Sequence, residues 1–246
     1  MFDSYAEIFL QRAGEYHGAM ARWPDARDAE FRAVLDPLKN APDGLVCDMP
    51  SGGGYLAHHL RAGLDYVGVE PADGFFDADN RGLRRVKSDL GNVTLADGSV
   101  DHLVSLAGLH HESDLGRVFR EMRRLVRTGG LVVIADAAAG TPPAHFLNGF
   151  VDRHNPQGHE GRFFDDKTAG LVEAAGLRIV EDELTPVPWA FDSEAEAGAF
   201  CKKLFWLPEL APEAVAEALA GEIGFIHRDG RVLLDWTLRR FICVSK

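Results

Sequence analysis

Cysteine is scarce in this chain. Cys47, Cys201 and Cys243 stand alone, so neighbouring positions supply neither a disulfide framework nor a CxxC metal knuckle. Basic residues are also few: 26 lysines and arginines face 38 aspartates and glutamates. The formal charge of −12 would repel a phosphate backbone instead of displacing its counterions, so no nucleic-acid partner is expected. No apolar run approaches the ~20 residues of a membrane span. The start MFDSYAEIFL also lacks the basic and long apolar stretches of a secretion signal. No membrane association is expected, and a cytoplasmic location is. Repeats, low-complexity tracts and linkers are missing too, which leaves one domain over residues 1–246. Against these absences stands a 46% hydrophobic composition, ample for one sizeable core and too apolar for disorder.

Residues 1–40 read as a helical cap. Tyr5, Ile8 and Phe9, then Phe31, Val34, Leu35 and Leu38, recur at helical spacing on either side of Pro24. From Gly44 the texture changes to short apolar runs: LVCDM (45–49), YVGVE (66–70), RVKSD (85–89), VDHLVSLA (100–107) and LVVIADA (131–137). Helical stretches separate them, the mark of parallel strands with helical crossovers. Leu115, Val118, Phe119, Met122 and Leu125 form one apolar stripe, and Thr128-Gly129-Gly130 is expected to cap that helix. Residues 138–165, with two adjacent prolines, read as a mobile insertion. A helix over 166–175, a strand LRIVEDELTP, helices near 193–207 and from Pro212, and a final strand LLDWTLRRFICVSK follow.

The most informative stretch is LVCDMPSGGGYLAHHL, where a strand ends at Asp48, a glycine turn follows and a helix is expected. Glycines there let a ligand lie against bare backbone, and a helix start offers unpaired N–H groups. Gly52-Gly53-Gly54-Tyr55-Leu56-Ala57 satisfies G-x-G-x-x-(G/A), and Glu70 ends the next strand 70 − 52 = 18 residues after Gly52. That is near the ~20 expected for a ribose-binding acid. Two cofactor classes share the pattern. Asp48 would oppose a pyrophosphate and favour an ammonium group, which puts S-adenosylmethionine ahead of a nicotinamide dinucleotide.

Here the sequence resembles the class I S-adenosylmethionine-dependent methyltransferases, especially the small-molecule branch with the ubiquinone and menaquinone C-methyltransferases. The first motif, D-x-G-x-G-x-G in the family, stands as Asp48-Met49-Pro50-Ser51-Gly52-Gly53-Gly54, with Pro50 in place of the first glycine. VKSDLGNVTLADGSVDHLVSLAGLHHESDLGRVFREMRRLVRTGGLVVIADA carries the later motifs in family order. The resemblance implies an α/β, doubly wound, Rossmann-like sheet of seven strands ordered 3-2-1-4-5-7-6, with strand seven antiparallel. It implies a cofactor-binding half over 44–137, with substrate lids at 138–165 and 189–230. It also implies that Asp48, Pro50, Gly52, Gly54, Ala107 and Gly108 adjoin the methionine end. Glu70 and Pro71 would meet the ribose, Asp89 and Leu90 the adenine. The cap would cover the cofactor with Tyr5 or Tyr16 near it, and the product would be S-adenosylhomocysteine.

Methyl transfer from a sulfonium is an in-line displacement, so positioning in a dry site supplies most of the catalysis. His110 and His111 follow the fourth strand, where a base or an orienting residue would serve an oxygen acceptor. The insertion brings His145, His154 and His159 with Phe146, Phe150, Phe163 and Phe164, and Trp189 comes later; His145, Phe146, His154 and Trp189 are the expected substrate contacts. No HxxxH or HExxH spacing occurs, so no metal is expected. Ser105-Leu106-Ala107-Gly108 is not the Asn/Asp-Pro-Pro-Tyr/Phe run of amino-methylating DNA enzymes. The expected activity is therefore methyl transfer to a small molecule, at oxygen ahead of nitrogen or carbon. The alternatives are an NAD-dependent oxidoreductase and a non-catalytic cofactor-binding module.

Overall fold

A computed structural model describes residues 5–76 and 82–246. Seven strands form the main sheet: β1 (Gly44–Asp48), β2 (Leu64–Glu70), β3 (Arg85–Lys87), β4 (His102–Leu106), β5 (Leu131–Asp136), β6 (Leu177–Pro186) and β10 (Thr237–Ser245). Their order is β3-β2-β1-β4-β5-β10-β6; the first five run parallel and β10 pairs antiparallel with both β5 and β6. Numbered along the main sheet this is 3-2-1-4-5-7-6, as the resemblance implied. The short apolar runs become buried strands because every second residue faces an opposite layer. Val46, Val104, Val133 and Ala135 enter one core cluster, and Cys47, Leu103, Val132 and Ile134 the other.

The second cluster is closed by α3 (Leu115–Leu125) and α6 (Thr168–Ala174), through Val118, Phe119, Met122, Leu125 and Val172. Asp114 caps α3 by accepting from the Arg117 amide at 2.9 Å. The helix ends at Leu125, with Val126 already extended, so the glycines at 129 and 130 turn the chain into β5 and do not form the cap. The first cluster is covered by α1 (Tyr5–Arg22), α2 (Asp28–Leu35), α4 (Pro142–Phe146), α7 (Glu194–Leu204) and α8 (Pro212–Glu222), while α5 (Asp152–His154) lies outside it. Phe146, Leu147 and Val151 of the 138–165 insertion are buried in it, so this segment packs as a wall.

The late segment departs from the expected helical excursion. It contains a second, antiparallel sheet of β7 (Trp189–Phe191), β9 (Arg231–Leu234) and β8 (Phe225–Arg228), in that order. The run read as one final strand is split at Asp235-Trp236: β9 belongs to the small sheet and β10 to the main one. Alternation looked continuous because both halves bury every second residue, and the intervening Trp236 is itself buried.

One polar cluster ties the cap to this small sheet. Glu30 of α2 is wholly buried and accepts from Arg27 Nε at 2.6 Å and from Trp189 Nε1 at 2.9 Å. Arg27 also donates to the Tyr16 hydroxyl, and the Ala190 amide donates to Ala26 O at 2.9 Å. Breaking a buried ion pair on one side strands the other charge. Arg27→Met is expected to lower the unfolding free energy in urea by about 3–5 kcal/mol, and Glu30→Gln added to Arg27→Met to restore much of it.

Candidate functional site: two adjoining cavities

Strand order reverses between β1 and β4, and ligands of doubly wound sheets bind beyond the carboxyl ends of strands at such a point. Asp48, the last residue of β1, is buried there and accepts from the Tyr66 hydroxyl at 2.9 Å. The loop beyond it opens with a cis Met49–Pro50 peptide and passes Gly52 and Gly54 at φ values of +50° and +77°, where a side chain would be strained. A Cβ on Gly52 would meet nothing nearer than Phe75 at 4.0 Å, so this backbone is open to a ligand. The helix expected next is a single 3₁₀ turn, Tyr55–His59, because Leu60 is extended and Gly63 takes a left-handed turn. So short a turn presents little of the helix N-terminus that a pyrophosphate needs.

Glu70 ends β2 with no exposed surface. Its Oε2 accepts from the Gly52 amide at 2.7 Å and the Tyr5 hydroxyl at 3.3 Å, and its Oε1 from the Ala72 amide at 2.8 Å. Loss of hydration pushes its pKa up to about 8, against the opposing pull of the Ala72 and Gly52 amides, Arg85 and Tyr5. Burial likewise raises Asp48 to about 7, opposed by Tyr66 and Arg85. Tyr5, also buried, is raised well above an ordinary phenol. Across the cleft, Ala107 adopts φ +47°, and a Cβ on Gly108 would come within 2.7 Å of Pro50 Cγ.

Asp48, Pro50, Gly52 and Ala107 thus line one cleft, beneath Tyr5 and Tyr16 of the cap. Gly54, Glu70 and Gly108 border it through the contacts above and through the Gly54 amide on Ser51 O. Pro71 lies off the lining. Leu90 is buried in the core, and Asp89 is exposed, accepting from Arg117 Nη2 at 2.7 Å and the Gly91 amide at 2.9 Å.

A second cavity, about 540 Å³, opens beyond Ala107. Asp136, the last residue of β5, is fully buried at its wall and accepts four bonds: from the Gly108 and His110 amides at 3.1 Å each, the Ala137 amide at 2.7 Å and His110 Nδ1 at 2.6 Å. Burial alone would raise this acid; His110 and the amides outweigh it and hold the pKa below the usual value. Asp136 is therefore an acceptor, so Nδ1 of His110 carries the hydrogen of that bond and Nε2 is the nitrogen turned away from the carboxylate.

His159 joins this wall from the insertion, because the Arg162 amide donates to His110 O at 2.7 Å and residue 164 bridges to Ala138. Its Nδ1 lies 3.0 Å from Asn148 Oδ1. Among the described residues, nitrogens of His110, His111 and His159 lie within 4.8 Å of one another, a grouping that a separation of 48 positions hid from spacing rules (159 − 111 = 48). Burial pushes His111 and His159 well below the ordinary imidazole range, toward the neutral form a metal ligand needs. The Arg12 guanidinium acts on the same two rings and works against a dication.

Trp189 lines this cavity, stacked on Trp236 at 4.3 Å between centroids, with Phe205 beside them. Phe146 packs behind Phe205 at 5.9 Å. His145 is exposed, and His154 lies against Phe150 away from the cavity. Sequence reading did not single out Arg12, Arg27, Glu30, Asp136 or Trp236. Asp136 carried a usable signal, an acid ending a parallel strand at the carboxyl edge. So did Arg12, a charge on the apolar face of α1 between Phe9, Ala13 and Tyr16.

Residues 47–134 match a family model described as a methyltransferase domain. An uncharacterized methyltransferase of Mycolicibacterium gilvum (strain PYR-GCK) is 30% identical over 208 residues, 75% of each chain. A demethylmenaquinone methyltransferase of Beutenbergia cavernae is 33% identical over 116 residues, covering 46% of this chain and 48% of that one. The solved YcgJ protein of Bacillus subtilis superposes with a TM-score of 0.62 at 14% identity, covering 89% of this chain and 99% of that one; at that identity it speaks for the fold.

The raised acids give the cleft a pH signature. Folded Glu70 keeps its proton up to about pH 8, whereas unfolded it would lose it in the ordinary carboxylate range. Folding therefore takes up a proton between those values, and the contribution is complete below the range and lost as pH rises through it. The ligand-free chain should lose unfolding free energy from pH 6 to pH 8, and Glu70→Gln should flatten the curve by about 1.4 kcal/mol per pH unit between pH 6 and 7, as read by urea titration.

Proposed function

Because the chain belongs to the class I S-adenosylmethionine-dependent methyltransferases, we propose that it methylates a hydroxyl oxygen of a small molecule held in the cavity beside the glycine loop. The observation that carries this reading is the shared wall: Phe9, Tyr16, Arg27 and Ala107 line both the glycine cleft and the second cavity. A donor in the first and an acceptor in the second would meet at Ala107. The aromatic lining by Phe9, Trp189, Phe205 and Trp236 suits a small apolar body, and the acidic charge points away from nucleic acid. A demethylmenaquinone methyltransferase among the relatives agrees with a small acceptor.

The residues present fit S-adenosylmethionine. Gly52 leaves its backbone open, Asp48 offers a carboxylate to an ammonium group, and Glu70 offers one to a ribose diol; the Tyr5 hydroxyl already donates to Glu70 as a sugar hydroxyl would. When bound, the donor supplies a methyl carbon on a positively charged sulfur, which leaves as a neutral thioether. A nicotinamide dinucleotide is disfavoured by the short 3₁₀ turn after the loop, which offers its pyrophosphate little of a helix N-terminus.

Asp136 orients His110 so that Nε2 takes the proton of the acceptor hydroxyl, and the ion pair so formed is stabilised by the same carboxylate. The apolar walls around Trp189 exclude water, which keeps the oxygen nucleophile poorly solvated. The methyl goes to oxygen, the proton goes to His110, and charge is conserved.

Incubation of the full chain with methyl-labelled donor and a metabolite extract should place label in a small product whose methyl is acid-stable and bonded to oxygen; no labelled product would refute the reading. His110→Gln is expected to lower kcat about 10²- to 10⁴-fold with little change in donor affinity. Glu70→Ala should weaken S-adenosylhomocysteine binding in calorimetry by about 1.5–3 kcal/mol per charged bond lost, with an unchanged constant removing Glu70 from the ribose role.

A further inference from the structure

Arg12 is the unexplained charge of the molecule. It is 4% exposed, its Nε has no hydrogen-bond partner, and among the described residues no ion pair reaches its guanidinium. It sits 5.5 Å from the centroid of Phe9 and lines the second cavity. The acids of that cavity are already committed: Glu30 to Arg27 and Trp189, Asp136 to His110 and three amides. Burial, opposed by Tyr16, lowers the Arg12 pKa to about 10, which leaves it charged at neutral pH. A buried, charged and unpaired guanidinium is costly unless something anionic joins it.

Extending the reading of this cavity as the acceptor site, we propose that the acceptor is a hydroxylated aromatic acid, its carboxylate on Arg12 and its ring among Phe9, Trp189, Phe205 and Trp236. One uncompensated cation matches one negative charge, which selects a carboxylate over a dianionic phosphate. The aromatic walls select a flat apolar body. His110, on the same cavity, then faces a hydroxyl on that body. An acid-free analogue would leave Arg12 buried without a partner, so the site discriminates against it.

The full chain saturated with S-adenosylhomocysteine is titrated with 3,4-dihydroxybenzoate and 4-hydroxycinnamate and with their primary amides, following tryptophan fluorescence. The acids are expected to bind at least tenfold more tightly than the amides. Arg12→Met should bring that ratio to about one, Arg12→Lys should keep part of it, and the S-adenosylhomocysteine constant, measured in each variant, reports that the cleft is folded. Removing the unpaired charge should also raise the thermal midpoint of the ligand-free Arg12→Met chain. Equal binding of acids and amides, binding of neither, a preference that survives Arg12→Met, or a lowered midpoint in that variant overturns the anion site. Absence of S-adenosylhomocysteine binding in the unmodified chain counts instead against the methyltransferase site from which this inference starts.

Discussion

The buried carboxylate of Asp136 holds the site together. Four donors converge on it: two amides from the exit of β4, one from its own strand exit, and the ring of His110. A carboxylate with no exposed surface is tolerable only when its lone pairs are filled, and here the filling fixes where the chain goes after two neighbouring strands. Gly108 is pulled against Pro50, Ala107 is held in a left-handed conformation between the cavities, and the His110 ring is turned so that Nε2 is the free nitrogen. Loop geometry, cavity wall and the orientation of the imidazole are thus one problem with one solution.

A second polar cluster does for the cap what Asp136 does for the strands. Arg27, Glu30, Tyr16 and Trp189 join the first two helices to the small antiparallel sheet across the top of both cavities. Neither the cap nor the sheet encloses a pocket alone. Their contact explains why residues far apart in sequence line the same space, and why three arginine and glutamate side chains lie at the heart of a largely apolar region. Two of those charges neutralise each other; Arg12 does not share in the exchange.

The glycine cleft and the second cavity differ in electrostatic character. Around the loop, Asp48 and Glu70 are acids whose protons are held by burial. Around the cavity, His111 and His159 are bases kept neutral by burial, with an uncompensated cation beside them. A cation placed against the two acids would favour their ionised forms, and an anion placed against Arg12 would compensate its charge. Opposite preferences on either side of Ala107 would orient two charged reactants toward each other before any chemistry.

Sequence alone determined the main sheet, because buried parallel strands must be short apolar runs and their crossovers must be amphipathic helices; both patterns are local. It also marked the glycine loop and the acids ending β1 and β2, since φ > 0 and close backbone approach demand glycine at fixed offsets. Tertiary structure decided the rest. Whether Asp89 or Trp189 faces a cavity depends on packing partners tens of residues away: one lies on the surface with Arg117, the other inside with Glu30. The split of the last apolar run between two sheets had no local mark, because both halves alternate with the same period. The meeting of His110, His111 and His159, and the isolation of Arg12, are properties of distance and burial. A linear pattern records neither, since charge compensation is settled only when the chain has closed around it.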